Sequence, residues 1–125
     1  MKIIIILALC FIFTEANAQK VTADVYRNRM VKTITGTSIS CDSNNIFAKT
    51  ISTNTIFTFS NMPVAQWITV FITNTGSYTV TWTGVTWSGG SGAAPVQTTG
   101  AKTDIWSFIK IGGIIYGAIP SQNYY

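Results

Sequence analysis

Residues 67–117 read WITVFITNTGSYTVTWTGVTWSGGSGAAPVQTTGAKTDIWSFIKIGGIIYG, and this stretch decides the fold class. It contains short runs of threonine, valine, isoleucine and aromatic residues, which are the residue types most enriched in β-strands. Segments rich in glycine or asparagine separate the runs, and such segments form turns and loops. The stretch therefore predicts a series of short β-strands and no helix.

Two hairpins are predicted within this stretch. Residues 78–83 alternate between large apolar side chains and threonines, which is the period of a half-buried strand. They follow residues 67–73 across the turn Asn74-Thr75-Gly76-Ser77, and asparagine and glycine there favour an antiparallel hairpin. Gly112-Gly113 predicts a second hairpin, between residues 105–111 and 114–119.

The first strand of this stretch, residues 67–73, is apolar on both of its faces. Trp67 and Phe71 lie on one face, and isoleucine and valine residues lie on the other. Such a strand is typical of the centre of a sheet that is covered on both sides. We therefore expect the strand to be central and Trp67 to be buried.

Shorter strands are predicted in the first half of the chain. Residues 21–34 alternate loosely, and residues 46–51 and 55–59 are further strand-like runs. Together these patterns give seven or eight strands at a spacing of about ten residues, which is typical of all-β sandwiches and barrels. The sequence predicts an all-β fold, an antiparallel β-sandwich or a small barrel.

The N-terminus has the organisation of a secretory signal peptide. Lys2 precedes the apolar run Ile3–Phe13, and Ala16-Asn17-Ala18 provides small residues before a cut at Gln19. A helix of this run would rise about 16 Å, too short for the ~30 Å core of a bilayer. We expect a signal segment over 1–18, one domain over 19–125, and no permanent membrane span. The alternative is an N-terminal segment that is never cut.

Few side chains could perform acid–base or metal chemistry. The 125 residues include no histidine, eight lysine and arginine residues and four acidic residues, for a net charge of +4. Triads and imidazole metal sites are therefore excluded. A basic segment containing Arg27, Arg29 and Lys32 could meet phosphate or an anionic glycan, but a solvated strand face is the preferred interpretation. The basic residues of the chain are too few and too loosely spread for nucleic-acid binding. We expect no catalytic residues, no metal site, no cofactor and no nucleic-acid partner.

The remaining reactive groups have structural interpretations. Asp42 and Asp104 would form a glycosidase pair only if they lay about 5 to 10 Å apart in different environments. Asp104 is instead predicted to accept hydrogen bonds from backbone donors. Without a histidine to activate it, Cys41 is predicted to be an inert thiol.

Three aromatic residues are candidates for ligand binding. Trp82, Trp87 and Tyr78 could form a platform on which sugar rings stack. The alternative is that they belong to the core, because Tyr78 and Trp82 alternate with threonines. Trp106 lies in an apolar run and is expected to be buried.

An ordered series of short motifs resembles a known family. The series contains the following segments: Asn45-Ile46-Phe47, Thr55–Asn61, Val80-Thr81-Trp82, Trp87-Ser88-Gly89-Gly90, Ala94-Pro95, Gly100, Asp104-Ile105, Gly112-Gly113 and Tyr116-Gly117. Over residues 39–125 this order is similar to a β-rich module found near the C-termini of bacteriophage tail-fibre and other virion structural proteins. Two departures are the apolar pair Ile114-Ile115 and the signal-like N-terminus.

The resemblance implies a non-enzymatic virion structural protein, such as a tail-fibre, knob or decoration subunit. Such a protein would assemble with itself, with a trimer implied, and expose the Ser88–Gly100 loop to other virion proteins or to host-surface glycan. Its location would be the virion. The alternative is an exported bacterial surface or periplasmic glycan-binding module, secreted through the N-terminal signal.

Overall fold

The computed structural model describes residues 30–88 and 93–124, and every regular element in these ranges is a β-strand. The predicted signal segment, Arg27, Arg29 and residues 89–92 lie outside the described residues. The strands are β1 (Lys32–Thr33), β2 (Ser38–Ser40), β3 (Ile46–Ile51), β4 (Thr55–Ser60), β5 (Trp67–Asn74), β6 (Val80–Trp82), β7 (Val85–Trp87), β8 (Lys102–Ile111) and β9 (Ile114–Tyr124). The all-β prediction is confirmed for this part of the chain.

The strands form two sheets, and the chain passes back and forth between them. One sheet has six strands in the order β1-β3-β5-β8-β9-β7, and the other has three in the order β2-β4-β6. From β1 to β6, successive strands therefore alternate between the two sheets. The first six strands wind as a coil, and each winding adds one parallel strand to each sheet.

The predicted antiparallel architecture is wrong for five of the seven strand pairs in the described residues. Parallel pairs join β1 to β3, β3 to β5, β2 to β4, β4 to β6 and β7 to β9. In the described ranges both antiparallel pairs involve β8, which pairs with β5 on one side and with β9 on the other. The fold is a two-sheet coil that an antiparallel hairpin extends.

The hairpin predicted at residues 74–77 is also wrong, and Asn74 provides the physical reason. Its amide oxygen accepts hydrogen bonds from the backbone N–H groups of Gly76 and Tyr78, and its amide nitrogen donates to the Tyr78 carbonyl at 2.7 Å. Neither Asn74 nor Gly76 adopts the positive φ that a type I′ hairpin turn requires. The Asn74 side chain thus stabilises a corner that sends the chain into the other sheet.

The predicted Gly112-Gly113 hairpin is confirmed. Gly112 and Gly113 have φ values of 56° and 88°, and Ile111 pairs with Ile114 across the turn. Positive φ at both positions is the requirement of a type I′ turn, which glycine meets without strain. The turn sets the register of β8 against β9 at this end of the sheet.

The core lies between the two sheets. Phe47, Val70, Trp106 and Phe108 of the six-stranded sheet are almost completely buried, as is Phe57 of the three-stranded sheet. Aromatic contacts join the two sheets. The ring centroid of Trp82 in β6 lies 5.4 Å from that of Trp106 and 4.5 Å from that of Phe108, both in β8. The burial of Trp106 was predicted correctly.

The central position of β5 was predicted correctly, but the prediction that both of its faces are covered was wrong. β5 lies between β3 and β8, as a central strand should. Ile68, Val70 and Ile72 are fully buried, whereas Trp67 is 58% exposed. The three-stranded sheet covers one face of β5, so the face that carries Trp67 remains open to solvent.

Candidate interaction surfaces

The open face of the six-stranded sheet is the first candidate surface. We call it the outer face, and it consists of side chains of β3, β5, β8 and β9 that alternate with buried core residues and are matched by the strand register. Its members are Ile46, Ala48, Thr50, Trp67, Thr69, Phe71, Thr73, Thr103, Ile105, Ser107, Ile109, Ile111, Ile114 and Tyr116. None of these side chains carries a charge.

One end of the outer face is strongly apolar. Trp67 pairs with Ile109, and Ile109 pairs with Tyr116, so these three side chains form a row across β5, β8 and β9. Directly opposed residues on one face of an antiparallel pair have Cβ atoms about 5 Å apart, which places the three in contact range. Beside the row, Ile111 and Ile114 are 54% and 48% exposed. We call these five residues the apolar end.

The opposite end of the outer face carries hydroxyl groups. Thr50, Thr73 and Thr103 occupy one row across β3, β5 and β8. The hydroxyl oxygens of Thr73 and Thr103 lie 2.7 Å apart and share a hydrogen bond. This row is polar but uncharged, so the whole outer face can meet another surface without desolvating an ion.

The outer face is as large as a typical interaction patch. At a strand spacing of about 4.8 Å and a rise of about 3.3 Å per residue, four strands of seven residues cover about 19 by 23 Å, or about 440 Å². The largest apolar patch on a typical soluble monomer is about 300–600 Å² and is often functional, and on this face the apolar end is the apolar part. The prediction that Trp67 is buried therefore missed a candidate interaction residue. The signal available in the sequence was the placement of Trp67 on the same strand face as Thr69 and Thr73.

The structure places two of the three predicted binding residues in the core. Trp82 and Trp87 are only 5% and 7% exposed, which confirms the alternative core interpretation for both. Trp82 stacks on Phe57 with ring centroids 4.9 Å apart, and Trp87 meets Trp106 edge-on at 5.5 Å. A sugar-binding role for these two indoles stays a prediction, and their burial does not favour it.

Tyr78, the third predicted binding residue, lines a cleft. The cleft has a volume of about 210 Å³ and lies between residues 77–80, which lead into β6, and the segment 94–99 that precedes β8. We call it the corner cleft. It is lined by Ser77, Tyr78, Thr79, Val80, Ala94, Pro95, Val96, Gln97 and Thr99. Part of the loop that the sequence predicts to be presented thus forms one wall.

Asp104 fixes the position of that wall. This carboxylate is fully buried in β8, and its Oδ2 accepts a hydrogen bond from the Thr98 backbone N–H at 2.6 Å. Its Oδ1 accepts another from the Asn123 backbone N–H at 2.9 Å. The prediction that Asp104 accepts hydrogen bonds from backbone donors is confirmed. The carboxylate ties the 94–99 segment to the end of β9.

Asp42 lies in a different environment from Asp104. It is exposed after β2, and its Oδ2 accepts hydrogen bonds from the Ser40 hydroxyl at 2.5 Å and from the Asn61 amide at 3.0 Å. These two hydrogen bonds, that of Ser40 first, lower the pKa of the Asp42 carboxyl. The two aspartates have different hydrogen-bond partners, and each has a structural role.

Cys41 is a small core residue. It is 4% exposed, and its thiol lies 3.7 Å from the Ile39 carbonyl oxygen, to which it donates. Burial, with a further contribution from the charge of Asp42, raises the pKa of the thiol to about 11. At neutral pH the thiol is therefore protonated and a poor nucleophile.

The chain was compared with known proteins, and no family model, curated protein or solved structure matches it. Within residues 30–88 and 93–124, no cluster of three or more histidine, cysteine or acidic side chains could hold a metal ion. The same residues include no helix that is long and apolar enough to cross a bilayer.

Proposed function

We propose that this protein is a non-enzymatic structural subunit, of the virion type that its sequence resembles, which acts by self-assembly and by presenting a surface. The observation that carries the proposal is the uncharged outer face, with Trp67 58% and Tyr116 41% exposed. Exposed aromatic residues and an absence of charge are the composition that distinguishes the cores of protein interfaces, and the apolar end of the outer face has both.

The charge of the molecule supports a second copy as the partner of the outer face. Each chain carries a net charge of +4, so two copies repel each other at long range, and a charged contact surface would add to that repulsion. The outer face is such a surface, and a neutral face is compatible in charge with itself. Two-fold symmetry would pair the same patch on both copies, whereas a trimer would use two different patches of each copy.

The size of the outer face also fits this partner. A stable interface buries about 800 Å² of accessible surface on each partner. The outer face covers about 440 Å² in projection. Its side chains stand out from that plane, so it can supply the apolar centre of an interface whose rim comes from the surrounding strands. Trp67 would be the main anchor, because tryptophan dominates the energetic centres of interfaces.

The experiment that tests this proposal compares two variants by sedimentation equilibrium over micromolar concentrations. Trp67→Ser removes the anchor from the outer face, and Ile56→Ser is the matched control. Ile56 lies in β4 of the three-stranded sheet and is 60% exposed, so its exposure equals that of Trp67. We expect the wild type and Ile56→Ser to associate and Trp67→Ser to dissociate at least tenfold more readily. A monomeric wild type, or equal effects of both substitutions, would refute self-assembly through the outer face.

A second candidate function is an exported surface or periplasmic module that binds glycan, and the corner cleft favours it. The cleft includes Tyr78, one of the predicted binding residues. The first residue of the purified native protein distinguishes the two settings. A start at Met1 inside particles supports the virion, and a start at Gln19 in the medium supports secretion.

A further inference from the structure

We propose that the corner cleft binds a single uncharged sugar ring, such as the terminal residue of a neutral surface glycan. This inference rests on the surface-presentation part of the proposed function and is independent of self-assembly. It uses only described residues of the cleft and needs neither Trp82 nor Trp87.

Hydrogen bonds hold both walls of the cleft in place. On the 94–99 side, the Asp104 carboxylate accepts from the Thr98 N–H, and the Gln122 amide donates to the Val96 carbonyl at 2.7 Å. The Gln97 side chain spans inward, where its oxygen accepts from the Trp106 indole N–H at 2.9 Å and its nitrogen donates to the Ile72 carbonyl at 3.3 Å. These bonds fix the wall against β5, β8 and β9.

The opposite wall is fixed by two asparagines. Asn74 holds both backbone polar groups of Tyr78, as described above. The amide oxygen of Asn54, from the preceding winding of the coil, accepts a hydrogen bond from the Thr79 N–H at 3.0 Å. A hydrogen bond from the Gly100 N–H to the Gly76 carbonyl, at 2.9 Å, joins the two walls. The cleft is thus preformed, so a ligand would not have to order it.

The volume of the cleft selects a ligand of one ring. An enclosed apolar cavity of about 150 Å³ holds benzene. The corner cleft, at about 210 Å³, has room for a six-membered ring with several substituents. It is too small for a drug-sized ligand, since sites for such ligands measure about 300–1,000 Å³.

The lining of the cleft selects a neutral, hydroxyl-bearing ligand. No lysine, arginine, aspartate or glutamate lines it, although the chain as a whole is basic. Ser77, Thr79 and Thr99 contribute hydroxyl groups, and none of these hydroxyls bonds to another described residue. They are therefore available to donate to and accept from sugar hydroxyls.

The same lining has apolar surface for the ring itself. Tyr78, which also packs on the core and lies over Gly76, contributes aromatic surface to the lining, and aromatic surface attracts the C–H groups of a sugar ring. Pro95 and Val96 provide further apolar contact, and Val96 is 83% exposed, so a ligand could reach it from solvent. An apolar lining with a few polar groups is the usual composition of a small-molecule site.

The test is a two-dimensional ¹⁵N–¹H NMR titration of the protein with glucose, galactose, mannose and N-acetylglucosamine, and with glucuronic acid as the charged comparison. A ligand of about a dozen heavy atoms is expected to bind with a dissociation constant of about 1 mM. We expect at least one neutral sugar to shift the amide signals of residues 77–80 and 94–99 and to bind more tightly than glucuronic acid. Shifts elsewhere, no saturable shifts with any neutral sugar, or tighter binding of glucuronic acid would overturn the proposal.

A double variant tests the hydroxyl groups without removing Tyr78, which also packs on the core. Ser77→Ala combined with Thr99→Val keeps the shape of the cleft and removes two hydroxyls. The control is Thr81→Val, because Thr81 is an exposed strand residue of β6 that does not line the cleft. We expect the double variant to weaken binding about tenfold or more and the control to bind as the wild type does. Unchanged binding by the double variant would also overturn the proposal.

The two proposals can fail separately. If the protein binds no neutral sugar but still associates in sedimentation, only the proposed sugar site in the corner cleft is refuted. A monomeric protein that still shows saturable shifts at residues 77–80 and 94–99 would refute self-assembly and leave the sugar site standing.

Discussion

Removing the Asp104 carboxylate should cost a large part of the stability of the fold. Asp104 is fully buried, and its two oxygens accept hydrogen bonds from the Thr98 and Asn123 backbone N–H groups at 2.6 and 2.9 Å. A hydrogen bond to a charged group contributes about 1.5–3 kcal/mol. Since Asn123 is exposed and water can replace one of the two bonds, the lower values apply. We expect Asp104→Ala to lower the free energy of unfolding by about 3 kcal/mol.

Asp104→Asn refines this prediction. The amide keeps the size of the side chain and one acceptor oxygen, but its NH₂ group faces a backbone donor. We therefore expect about half the loss, roughly 1.5 kcal/mol. Against a typical stability of about 5–15 kcal/mol, both losses are measurable.

The assay is urea unfolding followed by tryptophan fluorescence, with Asp42→Ala as the matched control. Asp42 is an exposed aspartate whose partners are side chains, so its removal should cause a much smaller loss. A loss of less than about 1 kcal/mol for Asp104→Ala would refute the anchoring role, because two lost charged bonds cannot cost so little. Equal losses for Asp104→Ala and Asp42→Ala would refute it as well.

Three further predictions concern single residues. Because burial raises the pKa of the Cys41 thiol to about 11, a disulfide reagent at pH 8 should label Cys41 only after unfolding. Peptide mapping distinguishes it from Cys10, and rapid labelling of Cys41 in the native protein would contradict its burial. Folding lowers the pKa of Asp42, so the stability that this carboxylate contributes should be fully present above its unfolded pKa of about 3.9. That stability should be lost as the pH falls through the lower pKa of the folded state. We therefore expect Asp42→Asn to reduce the fall in melting temperature at acidic pH. Gly117→Ala would place a Cβ atom 2.6 Å from the Trp87 ring and 2.7 Å from Val85, and should cost about 1–3 kcal/mol in urea unfolding. In the control Gly36→Ala, the added Cβ atom would have no other atom within 4 Å. An equal loss of unfolding free energy in this control would show that the Gly117 effect is not steric.

Local patterns in the sequence predicted some of the strands well, but they missed the short strands β2 and β7. The predicted strand 46–51 coincides with β3, and the predicted strand 55–59 is β4 without its last residue. Gly112-Gly113 identified the β8–β9 turn, because two adjacent glycines suit a turn that needs positive φ twice. The alternation of apolar and polar residues and the residue types that favour turns are local properties, and both can be recognised from neighbouring residues.

The pairing of the strands could not be read in the same way. Alternation shows that a strand has a buried face, but it does not show whether the neighbouring strand runs parallel or antiparallel. The Asn74-Thr75-Gly76-Ser77 segment suits a hairpin by composition, and only the hydrogen bonds of the Asn74 side chain make it a corner. These hydrogen bonds are local, and the same residues could also form a hairpin turn, so the composition of the segment does not decide between the two turns.

The coil also leaves no visible repeat in the sequence. Residues stacked on each other in successive windings are 15 positions apart for Lys32 and Phe47, 20 for Ser38 and Thr58, 23 for Phe47 and Val70, and 25 for Thr55 and Val80. A repeat can be recognised only at a fixed period. Because the corners differ in length, the windings share a geometry without sharing a spacing.

The candidate surfaces were not predicted from the sequence. Tyr78 was grouped with Trp82 and Trp87, whereas in the structure it lies beside the segment 94–99 in the corner cleft. Trp67 was misplaced because tryptophan, isoleucine and valine in one strand are all apolar, and composition alone does not tell which face a second sheet covers. The three-stranded sheet packs on the face of β5 that carries Ile68, Val70 and Ile72, and the opposite face, which carries Trp67, is the outer face.

Hydroxyl-radical footprinting of the native protein tests most directly whether the outer face is a contact surface. Trp67 and Tyr116 are the reactive side chains of the apolar end, and Met30, which is 59% exposed and outside the outer face, is the internal reference. As the protein concentration rises, oxidation of Trp67 and Tyr116 relative to Met30 should fall severalfold. Oxidation of all three at a constant ratio, across concentrations at which the mass increases, would contradict assembly through this face.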